Sequence, residues 1–213
     1  MNNEIHLNEP FGYEIYQTIT KYNLKKNLEI GSWDGEGSTN CFVEAMKLLS
    51  NPRLLVCVEI IEDKFLKLRD RYSDENFVTP VMNSSINYDE MIYKDFESLW
   101  NSPFNKIRKE YSKELVQSWF DRDINLLKTV EKGAIAQYKT HEWDSVLIDG
   151  GEFTGYSEYA LLKDKTKIFF LDDVHHAFKC NQVYHELLQD TNNWELLKED
   201  KTTRNGFAIF KRK

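Results

Sequence analysis

Acidic residues stand at the ends of two predicted strands, where an α/β protein places its ligands. Asp149 follows the apolar run 143–148, and Asp172 and Asp173 follow a second run, 167–171. Because parallel strands end at one edge of a sheet, we expect these three carboxylates to converge. Converging carboxylates repel one another unless a cation lies between them. Oxygen ligands suit Mg²⁺ or Mn²⁺ better than zinc, so the pattern predicts a divalent metal site at Asp149, Asp172 and Asp173.

Another interpretation of the same acids remains open. Asp149 could contact a bound cofactor, and Asp173 could only cap the helix that follows it, as aspartate often does.

Residues beside these strand ends could accept a proton. Glu152 lies on the loop after Asp149, and His175 and His176 follow Asp173. A histidine with a pKa near neutrality can deprotonate a hydroxyl group. Two adjacent histidines near a helix start are equally consistent with a surface position. The candidate catalytic residues are therefore Asp149, Glu152, His175 and His176, and the choice of base among them stays open.

A glycine-containing loop joins the first predicted strand to a helix. Residues 27–39 read NLEIGSWDGEGST, with glycine at 31, 35 and 37. Glycine accepts positive φ and lets backbone N–H groups approach a ligand closely. The helix N-terminus behind the loop favours an electron-rich group. Glu29 lies near the end of the first strand and Glu59 ends the second. A carboxylate there can accept hydrogen bonds from ribose hydroxyls, although a plain structural turn is the alternative for the loop.

This loop resembles the first motif of the class I S-adenosylmethionine-dependent methyltransferases. It is most similar to the branch that includes metal-dependent O-methyltransferases acting on sugars and natural products. The resemblance covers residues 27 to 211 and weakens between 85 and 140. Trp33 stands where the common motif has its middle glycine. That residue disfavours a dinucleotide pyrophosphate, which needs close backbone approach, and suits adenosylmethionine, which has no phosphates.

The resemblance implies a cofactor site built from this loop and the next strand ends. Glu59 is assigned to the ribose hydroxyls, and Asn83 and Ser84 to the adenine edge. Serine and asparagine are also ordinary turn residues, so the adenine assignment stays open. It further implies a divalent ion at the metal site named above. Many relatives have histidine where this chain has Glu152, which leaves the base unassigned. The predicted cofactor-binding residues are Glu29, Gly31, Ser32, Trp33, Gly35, Ser38, Glu59, Ile60, Asn83, Ser84 and Asp149.

Alternating strand and helix patterns predict the elements that position these residues. We expect an α/β, Rossmann-like fold with a mostly parallel seven-stranded sheet and a C-terminal antiparallel hairpin. A nicotinamide-binding domain would continue with another crossover instead of a hairpin. A helical insertion, 85–140, separates strands three and four, with helical patterns over about 89–100 and 111–130 and aromatic residues that we expect mainly to pack inside it. An amphipathic helix lies within residues 1–25. The prediction is one methyltransferase-like domain over residues 1–213.

Composition narrows the class of protein further. Apolar residues make up 41% and aromatic residues 14% of the 213 positions, as in a folded globular protein. The net charge of −7 gives no general nucleic-acid footprint. Three scattered cysteines fit a reducing compartment and neither a zinc site nor a disulfide scaffold. There is no signal-peptide pattern and no apolar run long enough to span a bilayer. We expect a cytoplasmic protein with a small-molecule or glycan substrate and no nucleic-acid or membrane partner. A homodimer is left open.

The resemblance therefore predicts methyl transfer from S-adenosylmethionine to a hydroxyl oxygen of a sugar or small metabolite, with assistance from Mg²⁺ or Mn²⁺. Two alternatives remain. One is a nicotinamide-dependent oxidoreductase acting on a nucleotide-linked sugar, which Trp33 and the terminal hairpin disfavour. The other is a non-catalytic adenosyl-binding or interaction protein.

Overall fold

A seven-stranded mixed sheet organises the chain. The structure, a computed structural model, describes residues 5–175 and 178–213. The strands lie in the order β3-β2-β1-β4-β5-β7-β6. Strands β1 to β5 pair in parallel, and β7 pairs antiparallel with both β5 and β6. The strands are β1 (Lys26–Ile30), β2 (Leu54–Glu59), β3 (Val78–Met82), β4 (Trp143–Ile148), β5 (Thr166–Asp172), β6 (Trp194–Asp200) and β7 (Phe207–Arg212). The predicted fold class is confirmed.

Helices cover both faces of this sheet. They are α1 (Pro10–Tyr22), α2 (Ser38–Lys47), α3 (Glu62–Arg71), α4 (Phe96–Trp100), α5 (Lys113–Leu127), α6 (Ala134–Gln137), α7 (Gly155–Leu162) and α8 (Asn181–Gln189). None of the helices within the described ranges is long and apolar enough to cross a bilayer. The predicted helix near the N-terminus is α1, which starts with a proline and is followed by Asn23 in the left-handed conformation.

Two apolar clusters bury the sheet from opposite sides. In β2, Leu55 and Cys57 belong to one cluster, and Val56 and Val58 belong to the other. Successive strand side chains point to opposite faces, so a strand buried on both faces must be apolar throughout. The first cluster contains residues of α1 and α2, and the second contains residues of α5, α7 and α8. This burial fixes the strand ends, and with them the loops that carry the candidate site.

The insertion between β3 and β4 packs on the same face as α7 and α8. Its main helix, α5, begins where Ser112 accepts a hydrogen bond from the Leu115 N–H, and buries residues at helical spacing. The predicted helix over 89–100 is shorter in the structure, because Asp95 caps α4 only from Phe96 onward. Among the insertion aromatics expected to pack, Phe120 is buried but Tyr111 is exposed.

Candidate active site

The loop between β1 and α2 needs glycine at two positions. Gly31 and Gly35 have φ values of 88° and 82°. A Cβ on Gly31 would lie 2.3 Å from the carbonyl oxygen of Asp149, so the ends of β1 and β4 approach closely only with glycine. Trp33 adopts φ 49° without being glycine, which costs roughly 1 kcal/mol. The Lys64 Nζ atom lies 4.0 Å from the centroid of its indole ring, a cation–π contact that offsets part of this cost.

Glu29 lies beneath this loop and holds the start of α2. Its two carboxylate oxygens accept hydrogen bonds of 2.6 Å from the hydroxyls of Ser38 and Thr39. Burial raises the pKa of the Glu29 carboxyl, although these hydrogen bonds act in the opposite direction. Glu29 and Ser38 were both predicted to bind the cofactor. Their contacts give them a role in shaping the loop, and direct contact with the cofactor stays a prediction.

Glu59 ties the glycine loop to the end of β2. Its Oε2 atom accepts a 2.8 Å hydrogen bond from the Trp33 N–H. Its Oε1 atom accepts from the N–H groups of Ile60 and Ile61 at 2.8 and 2.7 Å, just before α3 begins. Each carboxylate oxygen can accept more than one hydrogen bond. The side chain that was predicted to hold ribose hydroxyls thus keeps accepting capacity at Oε2 while it orders the loop.

Large apolar side chains are exposed around Glu59. Trp33, Ile61 and Met82 are 41%, 43% and 52% exposed, and Met82 is the direct register partner of Glu59 on the neighbouring strand. Clustered exposed apolar surface often marks a ligand site. Sequence reasoning named Trp33 and the half-buried Ile60 but neither Ile61 nor Met82. The pairing of Met82 with Glu59 cannot be read from either strand alone.

Asn83 and Ser84 connect the end of β3 to the end of the insertion. The Asn83 side-chain amide donates to the Lys132 carbonyl oxygen at 2.9 Å, and its Oδ1 accepts from the Ser84 N–H at 2.8 Å. The Ser84 carbonyl accepts from the Ala134 N–H at 2.8 Å. These contacts give both residues a structural role, and their adenine contact stays a prediction.

Asp149, Asp172 and Asp173 form one carboxylate cluster, as their positions at the ends of β4 and β5 predict. One carboxylate oxygen from each lies within 4.8 Å of the others. Two basic side chains already contact this cluster. The Lys179 Nζ atom lies 2.8 Å from Asp149 Oδ1 and 2.7 Å from Asp173 Oδ2, and Arg204 Nη2 lies 3.0 Å from Asp172 Oδ2. The cation that the sequence argument required is therefore present as side-chain charge.

The electrostatics of the cluster keep Lys179 charged. Burial alone lowers the pKa of its ammonium, but the charges of Asp149, Asp173 and Asp172 outweigh burial and raise that pKa well above its usual value. For Asp173, burial alone raises the pKa of the carboxyl, but the charge of Lys179 outweighs burial and brings that pKa below its usual range. For Asp172, burial and the two neighbouring carboxylates all raise the pKa.

The cluster as arranged does not fit a divalent ion. The Lys179 ammonium occupies the space between the Asp149 and Asp173 oxygens that such an ion would need. A doubly charged ion beside an ammonium is repelled by roughly 8 kcal/mol for charges about 4 Å apart at an effective dielectric constant of about 20. Metal assistance, predicted from the three acids, therefore gains no support from this geometry. The prediction from the three acids did not include Lys179, whose contacts with them exist only in the folded chain.

Glu152 holds the segment that carries Lys179. Its Oε1 atom accepts from the Phe178 N–H at 2.6 Å and from the Lys179 N–H at 3.3 Å. Burial raises the pKa of Glu152, although the nearby Lys179 charge lowers it. Glu152 is thus a predicted base that contacts the backbone of Lys179, the residue whose side chain enters the carboxylate cluster.

Of the two candidate histidines, His175 lies within the described residues. The His175 Nε2 atom lies 3.3 Å from Glu199 Oε1 on β6, and its ring packs against Tyr184 of α8. These contacts direct the ring toward the terminal hairpin. His176 lies outside the described residues.

The strand order identifies the fold. A sheet in the order β3-β2-β1-β4-β5-β7-β6 is the Rossmann-like fold found in class I S-adenosylmethionine-dependent methyltransferases. No family model and no curated protein matches the chain by sequence.

Solved structures with this fold include O-methyltransferases. A Staphylococcus aureus protein, assigned by inference as a caffeoyl-CoA O-methyltransferase, is 14% identical with a TM-score of 0.59, over 100% of this chain and 87% of its own. The Bacillus cereus O-methyltransferase in complex with SAH is 13% identical with a TM-score of 0.57, over 96% and 82%. The Streptomyces achromogenes O-methyltransferase TomG, involved in tomaymycin synthesis and bound to SAM, is 13% identical with a TM-score of 0.54, over 95% and 79%.

Proposed function

We propose that this chain is an S-adenosylmethionine-dependent methyltransferase that methylates a hydroxyl oxygen of a sugar or small metabolite. The observation that carries the proposal is the pairing of the glycine loop with Glu59, whose carboxylate accepts the Trp33 N–H. This pairing supports the proposal because it brings the glycine loop and Glu59, which we assign to the ribose hydroxyls, to one strand edge in a methyltransferase fold. The O-methyltransferases with similar structures support the reaction class.

The exposed apolar rim suits an adenine base. Trp33, Ile61 and Met82 surround Glu59, so a ligand could bury an aromatic ring against them while its ribose reached the carboxylate. A dinucleotide would also place a pyrophosphate at the loop, where the indole of Trp33 hinders close approach. The β7 strand between β5 and β6 further disfavours the oxidoreductase alternative.

When bound, adenosylmethionine supplies an electrophilic methyl group, which bonds to the acceptor oxygen as its bond to sulfur breaks. The chain must hold the acceptor in line, exclude water and take up the hydroxyl proton. We assign the proton to Oε2 of Glu152, since Oε1 is the oxygen that accepts the two backbone N–H groups. The raised pKa of Glu152 makes it a better base than an ordinary carboxylate.

Calorimetry with adenosylmethionine, adenosylhomocysteine, NAD⁺ and NADP⁺ tests the cofactor. We expect binding of the two adenosyl ligands and none of the dinucleotides. Incubation of the protein and adenosylmethionine with pools of sugars, nucleotide sugars and phenols, followed by mass spectrometry, then tests the reaction through adenosylhomocysteine and a product heavier by one methylene unit. Binding of NAD⁺ without binding of adenosylhomocysteine would refute the proposal, and binding without turnover on any pool would favour the non-catalytic alternative.

A further inference from the structure

The side chain of Lys179 is buried inside the carboxylate cluster, with only 9% of the residue exposed. Its ammonium contacts Asp149 at the end of β4 and Asp173 at the end of β5. The lysine therefore bridges two neighbouring strand ends. A surface lysine that paired with these acids by chance would be solvated, whereas the side chain of Lys179 is only 10% exposed.

The chain fixes the backbone of Lys179 from two directions. Glu152 accepts the N–H groups of Phe178 and Lys179. On the other side, a Cβ added to Gly155 would lie 2.2 Å from the Lys179 carbonyl oxygen, so the first turn of α7 touches this peptide directly. The next residue, Cys180, directs its Sγ atom to the Ile148 carbonyl oxygen at 3.5 Å. The position of Lys179 is thus built by contacts with β4 and α7.

The local charges nearly balance without an added ion. Asp149, Asp172 and Asp173 carry three formal negative charges when ionised, and Lys179 and Arg204 carry two positive ones. A buried cluster of this kind stays folded only if its charges are paired. Removing one partner leaves an uncompensated buried charge, and such a site attracts any cation that can reach it.

We propose that the Lys179 ammonium is the resident cation of the carboxylate cluster, in the place of a divalent metal ion, and that it positions Asp149 and Asp173. Methyl transfer by this chain is then independent of Mg²⁺ and Mn²⁺. The prediction of metal-independent methyl transfer rests on the proposed function, whereas the assignment of Lys179 as the cation of the cluster does not.

Mn²⁺ binding, followed by electron paramagnetic resonance, tests the cation directly. Wild-type protein should leave Mn²⁺ free in solution. Lys179→Met keeps an unbranched side chain, one atom shorter, but removes its charge, and should gain Mn²⁺ affinity by about tenfold or more, which corresponds to about 1.4 kcal/mol. Lys179→Arg retains a cation and should exclude Mn²⁺ as the wild type does. The matched control is Lys198→Met, which removes one ion pair with Glu14 on the surface and should leave Mn²⁺ binding unchanged.

Several outcomes would overturn the proposal. The clearest is tight Mn²⁺ binding by the wild-type protein that Asp173→Asn abolishes. A folded Lys179→Met variant that still excludes Mn²⁺ would also contradict it. Should that variant fail to fold, the wild-type and Lys179→Arg titrations still decide the matter, because Mn²⁺ binding by either one contradicts a resident ammonium and exclusion by both supports it.

The prediction of metal-independent methyl transfer is tested by measuring the rate of adenosylhomocysteine formation in EDTA, which we expect to be unchanged. Loss of turnover that Mg²⁺ restores would overturn metal independence. Failure to bind adenosylhomocysteine at all would refute the proposed function, and it would leave the Mn²⁺ comparison valid.

Discussion

Replacing Glu59 with glutamine is the sharpest test of the nucleotide site. The carboxylate accepts backbone hydrogen bonds through both oxygens. Oε2 accepts from Trp33 in the glycine loop, and Oε1 accepts from Ile60 and Ile61, just before α3. Glutamine keeps one acceptor oxygen and nearly the same shape. It removes the negative charge, and it places an amide N–H₂ where Oε2 now accepts the Trp33 N–H.

Two effects of Glu59→Gln can be estimated. A hydrogen bond to a charged group contributes about 1.5–3 kcal/mol, so loss of the charged acceptor for a ribose hydroxyl should raise the Kd for adenosylhomocysteine by roughly 10- to 150-fold. The Trp33 N–H would also face a donor instead of an acceptor. We therefore expect the free energy of unfolding to fall by about 1 kcal/mol.

Calorimetry with adenosylhomocysteine and urea unfolding measure these two effects separately. Glu62→Gln is the matched control, because Glu62 is exposed in the first turn of α3 and loses the same charge. It should change the free energy of unfolding by only about 0.3 kcal/mol, through the helix dipole. An unchanged Kd for the folded Glu59→Gln variant would remove Glu59 from the ligand site, and equal losses in both variants would show that charge alone was responsible.

Three further substitutions test other parts of the site. Gly31→Ala should lower the free energy of unfolding by about 1–3 kcal/mol in urea titrations, because the new Cβ would meet the Asp149 backbone at positive φ; Gly151→Ala, whose Cβ would meet only a threonine side chain at 3.3 Å, is the control and should cost less. Glu158 is a buried residue of α7, the helix that follows the loop carrying Glu152. Burial raises the pKa of Glu158, so the folded protein retains a proton that the unfolded chain has already released, and stability falls as pH rises from the usual glutamate pKa through the raised one. Glu158→Gln should flatten this fall in the free energy of unfolding, measured by urea titrations across mildly acidic and neutral pH. An unaltered pH dependence would contradict a raised pKa of Glu158 as its cause. Glu152→Gln keeps the acceptor for the backbone of Phe178, and should lower kcat by about 10²-fold or more without changing adenosylhomocysteine affinity; an unchanged kcat would exclude Glu152 as the base.

Local patterns were sufficient to predict the sheet and the strand ends. The apolar run ending in Glu59 and the run before Asp172 predicted β2 and β5 closely, because strands buried on both faces must be continuously apolar. The insertion was less predictable. Its first helix began later than expected, at Phe96, since the cap at Asp95 competes with the apolar spacing that precedes it.

The contacts of the predicted site residues could not be read in the same way. Glu29 has the residue type and position of a ligand-binding acid, but its oxygens are occupied by the hydroxyls of Ser38 and Thr39. Met82 became part of the rim only through its register with Glu59 across the sheet. Which groups hydrogen-bond to one another depends on which side chains are buried together, and this follows from the packing of helices and strands.

The sequence by itself determined the order of elements, the glycine positions and the convergence of Asp149 with the two acids that end β5, because these follow from backbone periodicity and parallel strand geometry. Only the tertiary structure decided which cation lies among those acids. Lys179 is six residues from Asp173 along the chain, in a segment without a strong local pattern. It reaches the cluster because Glu152 and Gly155 hold its backbone against the ends of two strands. Charge balance in a buried site is set by distances of a few ångströms, and those distances exist only once the chain is folded.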